Sequence, residues 1–220
     1  MEKSFEKSQT NFIGRTLLTM STGLLVTFIV SMLISNTKMV LNPYIMIVSF
    51  IAEIGIVFYL SSRIAKMSPG VARMWFYTYA ALNGVTFSLI FLSYAAGTIG
   101  LVFLLSSAMF FCSAMVGMTT KVDMSAFGRF FMMAVIGLML LMLAQVLFGL
   151  SGMDMLISLV GIGVFSGLTA YDMQKIKNIH RDCYNLSPEE TGRYTIISAL
   201  RLYLDFINIF LFTLRMFRGR

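Results

Sequence analysis

Glu53 in "SFIAEIGIVFYL", Asp172 in "SGLTAYDMQKIK", and Arg201 with Asp205 in "ALRLYLDFINIFLFTLRMF" are ionisable side chains set in stretches that are otherwise almost wholly apolar. Acids and bases in such surroundings either neutralise one another or bind and pass a proton or a cation. If these stretches cross a bilayer, an unpaired charge at its centre costs at least about 2.5 to 3.5 kcal/mol, so each group needs a partner. Arg201 and Asp205 are spaced i, i+4, which puts them on one helix face about 6 Å apart, where they could pair. Glu53 could persist as a protonated acid bonded to a neighbouring helix. Neither arrangement explains three acids at comparable depth on three segments, where apolar residues would cost less. Carboxylates facing a common cavity suggest a cation or proton path.

The elements that carry these groups follow from composition. Of 220 residues, 58% are hydrophobic and 12% charged, against roughly a quarter charged in a soluble domain. With about 20 apolar residues needed to cross the hydrocarbon core, the apolar runs place seven spanning helices at 17 to 35, 43 to 62, 75 to 95, 98 to 120, 130 to 150, 153 to 172 and 195 to 217. The runs are continuous, whereas a barrel would show short alternating segments. The expectation is therefore one all-α integral membrane domain over residues 1–220, its last helix central and carrying buried charges. Residues 1–16 read as a short polar tail, and the first run is too long for a signal-peptide core.

Lysines and arginines number three before helix one, then one, three, none, two, none and four in successive connections. The positive-inside rule puts the N-terminus in the cytoplasm with the second, fourth and sixth connections. Helix seven conflicts with that rule, because Arg215, Arg218 and Arg220 then end outside. It either crosses with its packing overriding the rule, which is the expectation, or stops short. "SPEE" reads as its start, with Ser187 as N-cap, Pro188 at the first position and Glu190 closing a capping box. A helix from Pro188 to Phe217 would be about 45 Å long, with Asp205 near mid-membrane.

The stretch "ALRLYLDFINIFLFTLRMF", preceded by "GLTAYDMQKIK", closely resembles the last two helices of the Bax inhibitor family, the transmembrane Bax-inhibitor-motif proteins, whose bacterial members are calcium-leak proteins. The resemblance implies a pH-sensitive calcium leak in which a buried aspartate pair senses protons, and Asp172 and Asp205 stand at the matching positions. It also implies a basic latch at the cytoplasmic end of helix two, for which Arg63 is the counterpart, and it matches Glu53 to an acid of the second helix. Arg201 departs from the small or polar residue of the family pattern, which alters the charge balance of the pore. Two carboxylates within hydrogen-bonding distance share one proton instead of both ionising, and they titrate as a unit. Proton loss would exchange a bridge for repulsion, with Arg63 or Arg201 competing for the freed carboxylate, which makes a two-state element. Calcium, a hard cation, prefers oxygen ligands; Glu53, Asp205, Asn83 and Asn208 are the candidates. Calcium is then the transported ion, and no cofactor is expected. From the short N-terminal tail, which lacks a long Pro/Gly-rich extension, the expectation is a bacterial plasma membrane, with the endoplasmic reticulum as the alternative.

Other readings fare less well. Intramembrane aspartyl proteases also carry "YD" on a sixth helix, but their second aspartate lies in G-x-G-D before a P-A-L turn, whereas here it lies in "YLDF". A serine or metal enzyme lacks its residues: the one histidine, His180, lies in a charged connection, and Cys112 and Cys183 read as a core thiol and a loop thiol. The expectation is that the chain is not an enzyme. Its basic residues are scattered singly, not clustered on one face, which excludes nucleic acid. Gly163 and Gly167 suggest helix packing. A membrane regulator without intrinsic flux is the remaining alternative, since family members are associated with suppression of cell death and with a membrane-bound ATP-dependent protease.

Overall fold

The computed structural model describes residues 2–37, 41–149, 152–182 and 187–217. Seven helices, α1 (Glu2–Ser35), α2 (Pro43–Arg63), α3 (Pro69–Ser93), α4 (Ala96–Thr119), α5 (Ser125–Phe148), α6 (Asp154–Asp182) and α7 (Pro188–Met216), account for most of these residues, with a 3-10 turn at Ile64–Lys66. All seven are long and apolar enough to span a bilayer. They differ in how enclosed they are. Within the most apolar stretch of α7, 72% of residues are buried, against 44% in α6 and 6% in α5. A bilayer-facing helix needs no polar side, and α5 presents Phe130, Met133, Ile136, Met139 and Leu143 outward.

Local chemistry fixes the helix ends. Asn42 and Ser68 cap α2 and α3, each followed by proline at a position whose missing N–H would have had no partner. Gly149 closes α5 at φ +62°, a left-handed conformation that glycine reaches without the Cβ penalty. The "SPEE" reading holds in detail. Ser187 N and Oγ donate to Glu190 Oε2 at 3.0 and 2.9 Å, and Glu190 N donates back to Ser187 Oγ at 3.3 Å.

Several expected boundaries need correction. α1 is helical from Glu2, so the polar tail continues the first span, with Phe12, Ile13 and Thr16 buried. α3 and α5 begin at Pro69 and Ser125, ahead of Arg73 and Arg129. α6 does not end at Asp172 but runs to Asp182, burying Met173 and Ile176 along the extension. The common cause is that hydropathy marks where lipid begins, whereas a helix continues until a breaker stops it. Cys112 is not a core thiol. The buried stripe of α4 is Ile99, Val102, Ser106, Phe110, Ala114 and Gly117, and Cys112 lies off it and is exposed.

The chain forms two compact units, Met1–Ala96 with His180–Tyr203, and Gly97–Ile179 with Leu204–Arg220. In the first, α1 and α3 pack through small residues and hydroxyls. A Cβ at Gly84 would stand 2.8 Å from Thr27 O, and Thr27 and Ser31 donate across to Ala80 O and Gly84 O at 2.8 and 3.0 Å. This is the small-residue and hydroxyl packing that membrane helices use when lipid removes the hydrophobic drive between them. In the second unit a Cβ at Gly117 would overlap the carbonyl oxygen of Ala170, bringing α4 and α6 into backbone contact. Gly167 meets the ring of Phe131 in the same way, but Gly163 faces open space, so the two do not act as a packing pair.

Candidate functional site: buried carboxylates of the spanning helices

In the first unit the acid is Glu53, half-buried in the middle of α2. Thr86 of α3 donates to its Oε1 at 2.9 Å, so the acid is held by a neighbouring helix. Thr86 belongs to a polar stripe on α3 at i, i+4 and i+7, whose other members, Tyr79 and Asn83, are 5% and 3% exposed. Asn83 Nδ2 is buried without a hydrogen bond of good geometry, though its amide lies beside the Tyr79 hydroxyl. Glu53 also lies within electrostatic reach of Tyr79 and Tyr203. Tyr203 is fully buried, and its hydroxyl is 2.6 Å from Thr27 Oγ1. Thr27 Oγ1 also lies 3.1 Å from Gly23 O and 2.8 Å from Ala80 O, carbonyls that can only accept; with the single Thr27 hydrogen on either of them, Tyr203 is the donor in that pair.

The same unit holds both candidate bases. Arg63 is the last residue of α2, exposed where a cation complements the negative end of the helix dipole. Arg201 is half-buried on α7, four residues before Asp205.

In the second unit the acids are Asp172 on α6 and Asp205 on α7, 9% and 5% exposed. The α6 segment around Asp172 is tightly set. Ala170 touches Gly117, and the Tyr171 ring lies where a Cβ of Gly128 would stand at 2.5 Å. Gln174 then grips the α4–α5 connection with both ends of its amide, donating to Val122 O at 2.8 Å and accepting from Met124 N at 2.9 Å. Lys177 donates to Met118 O at 2.8 Å, meeting a carbonyl at the end of α4. Beyond Asp205, the Phe206 ring meets the edges of Phe103 and Phe110. Asn208 turns its Nδ2 back to Leu204 O at 2.8 Å, which leaves the amide oxygen as its acceptor.

A family model described as inhibitor of apoptosis-promoting Bax1 matches residues 9–220. The chain belongs to the Bax inhibitor family. It is 39% identical over 206 residues to the inner membrane protein YbhL of Escherichia coli, covering 91% of this chain and 88% of that protein. It is 36% identical over 221 residues to a protein of Deinococcus radiodurans, covering 100% and 94%, and 37% identical over 177 residues to a membrane protein of Streptococcus pyogenes, covering 80% and 75%. These relatives are bacterial, and the Escherichia coli protein is an inner membrane protein, which fits seven apolar helices.

For three residues of this Bax inhibitor family member the sequence does not disclose the bonds they make. Thr86 and Gln174 are two. The third is Arg215, whose Nε donates to Asp154 Oδ1 at 2.8 Å, while its Nη2 bonds both Asp154 and Gln145. Gln145 Nε2 completes the cluster on Asp154 at 3.0 Å. The arginine that conflicts with the charge rule thus has an acid at the start of α6 and an amide near the end of α5 as its packing partners. The detectable signal was Gln145, a polar residue in the apolar run "LMLAQVLFG". His180 lies on α6, while Cys183, Arg218 and Arg220 lie outside the described residues.

Proposed function

We propose that the chain is a pH-sensitive calcium leak of a bacterial inner membrane, its N-terminus cytoplasmic, with Asp172 and Asp205 as the proton-sensing pair. One observation supports this most: two carboxylates of one compact unit are buried, and they lie on the two helices with the largest enclosed share. An acid kept in such a place, where an apolar residue would cost less, is a functional group by default. In this reading Arg63 and Arg201 compete for a carboxylate when the shared proton leaves. Glu53, Asp205, Asn83 and Asn208 offer oxygens to a passing calcium ion. The chain makes and breaks no covalent bond and needs no cofactor.

Calcium entry into proteoliposomes, followed between about pH 5 and 8, tests the reading. The native chain should show a flux that depends on pH, and Asp172→Asn or Asp205→Asn should displace that dependence. A profile that both substitutions leave in place removes the pair from the sensor role. A second reading draws on the description of the family model as an inhibitor: the chain regulates other membrane proteins, a membrane-bound ATP-dependent protease among them, without passing ions. Purified protein that leaves an encapsulated calcium dye dark at every pH favours the regulator.

A further inference from the structure

We propose that Thr86 is the positioning residue for Glu53, fixing one carboxylate oxygen to α3 so that the other is presented to a cation. The proposal rests on the cation-path reading of Glu53 given above. Thr86 Oγ1 lies 2.9 Å from Glu53 Oε1 and 2.9 Å from the carbonyl oxygen of Asn83. A hydroxyl has one hydrogen and two acceptor lone pairs. With the hydrogen turned to Glu53, Thr86 stabilises the ionised carboxylate. With the hydrogen turned to Asn83 O, it offers a lone pair to the protonated acid, which then donates. Glu53 therefore keeps a bond in either protonation state, in surroundings where an unmet polar group is costly. Tyr79 and Tyr203 lie within electrostatic reach of Glu53 and come from α3 and α7 of the same unit.

The consequence for a cation is preorganisation. A carboxylate already held at Oε1 meets an arriving calcium ion at Oε2 without first losing its rotational freedom, a loss that otherwise weakens binding. Valine at position 86 would keep the shape and remove the bond, whereas serine would keep the bond and remove a methyl group.

The test measures calcium entry into proteoliposomes against external calcium for the native chain, Thr86→Val, Thr86→Ser and Glu53→Gln. Thr86→Val should raise the half-saturating calcium concentration about tenfold, as expected for one lost hydrogen bond to a charged group, with the maximal rate kept. Thr86→Ser should restore the native value. The role is overturned if Thr86→Val matches the native chain, if serine is as poor as valine, or if affinity and maximal rate fall together. A native chain that passes no calcium, or a Glu53→Gln variant with unchanged flux, marks failure of the cation-path reading instead. The bond is then judged by infrared spectroscopy alone. The carbonyl stretch of protonated Glu53, assigned by its disappearance in Glu53→Gln, should shift in Thr86→Val and stay in Thr86→Ser. A band that valine does not move overturns the positioning role without reference to flux.

Discussion

A single hydroxyl can decide how two membrane helices meet, and Tyr203 is the clearest instance. Its ring packs edge-on against Phe76 and Tyr79, and its hydroxyl lies 2.6 Å from a threonine oxygen that also faces carbonyls of α1 and α3. Tyr203→Phe keeps the ring and removes only the hydroxyl, leaving Thr27 Oγ1 to those carbonyls. The expected loss is about 1 kcal/mol, seen as a lowered thermal midpoint in detergent. Tyr203→Ala removes the ring as well and should cost about 3 to 5 kcal/mol. Glu53 was legible in the sequence because a charge inside lipid is expensive wherever it stands. Thr86 was not, because a threonine in an apolar helix is ordinary, and only coordinates show that its oxygen reaches another helix and not just its own backbone.

Between residue and molecule stand the helix ends and close approaches. Asp123 Oδ1 accepts from Ser125 Oγ at 2.7 Å and from Ser125 N at 3.0 Å, and these bonds, the hydroxyl first, hold its carboxyl below the usual range. A depressed carboxyl stabilises the fold above its unfolded pKa, and that contribution disappears as pH falls through the folded value. Thermal midpoints of native chain and Asp123→Asn should therefore differ at neutral pH and converge in acid. The contact of Gly117 with the Ala170 carbonyl makes a stronger case. Gly117→Ala must push α4 from α6 at the turn that precedes Asp172, at a cost of about 1 to 3 kcal/mol for an overpacked interface. Unfolding in detergent measures the loss, and an unchanged midpoint would mean the helices can slide apart freely. Helix existence was readable from apolar runs, since lipid demands them. The extensions of α1 and α6 were not, because turns that stand in water carry charge and look like connections.

At the scale of the molecule, the ends of α5, α6 and α7 are joined by one acid. Asp154 Oδ1 accepts from Arg215 and Gln145, and the arginine side chain is only 18% exposed. Asp154→Asn should lower the unfolding free energy by about 1 to 2 kcal/mol, between the worth of an exposed ion pair and that of a buried charged hydrogen bond. A double-mutant cycle with Arg215→Gln should return a coupling of that size; additive effects would show that the two side chains act separately. Sequence counting treated Arg215 as one more terminal base, because its partner lies 61 positions away in the chain and charge rules tally bases without regard to who answers them.

The grip of Gln174 on Val122 and Met124 has a practical side for anyone who labels this protein. The stretch from Thr120 to Met124 is short, polar and on the surface, the sort of place where a fluorescent domain or epitope is usually grafted. Here both backbone groups are already stitched to α6 two positions after Asp172, so an insertion would tear that seam beside a buried carboxylate whatever the size of the tag.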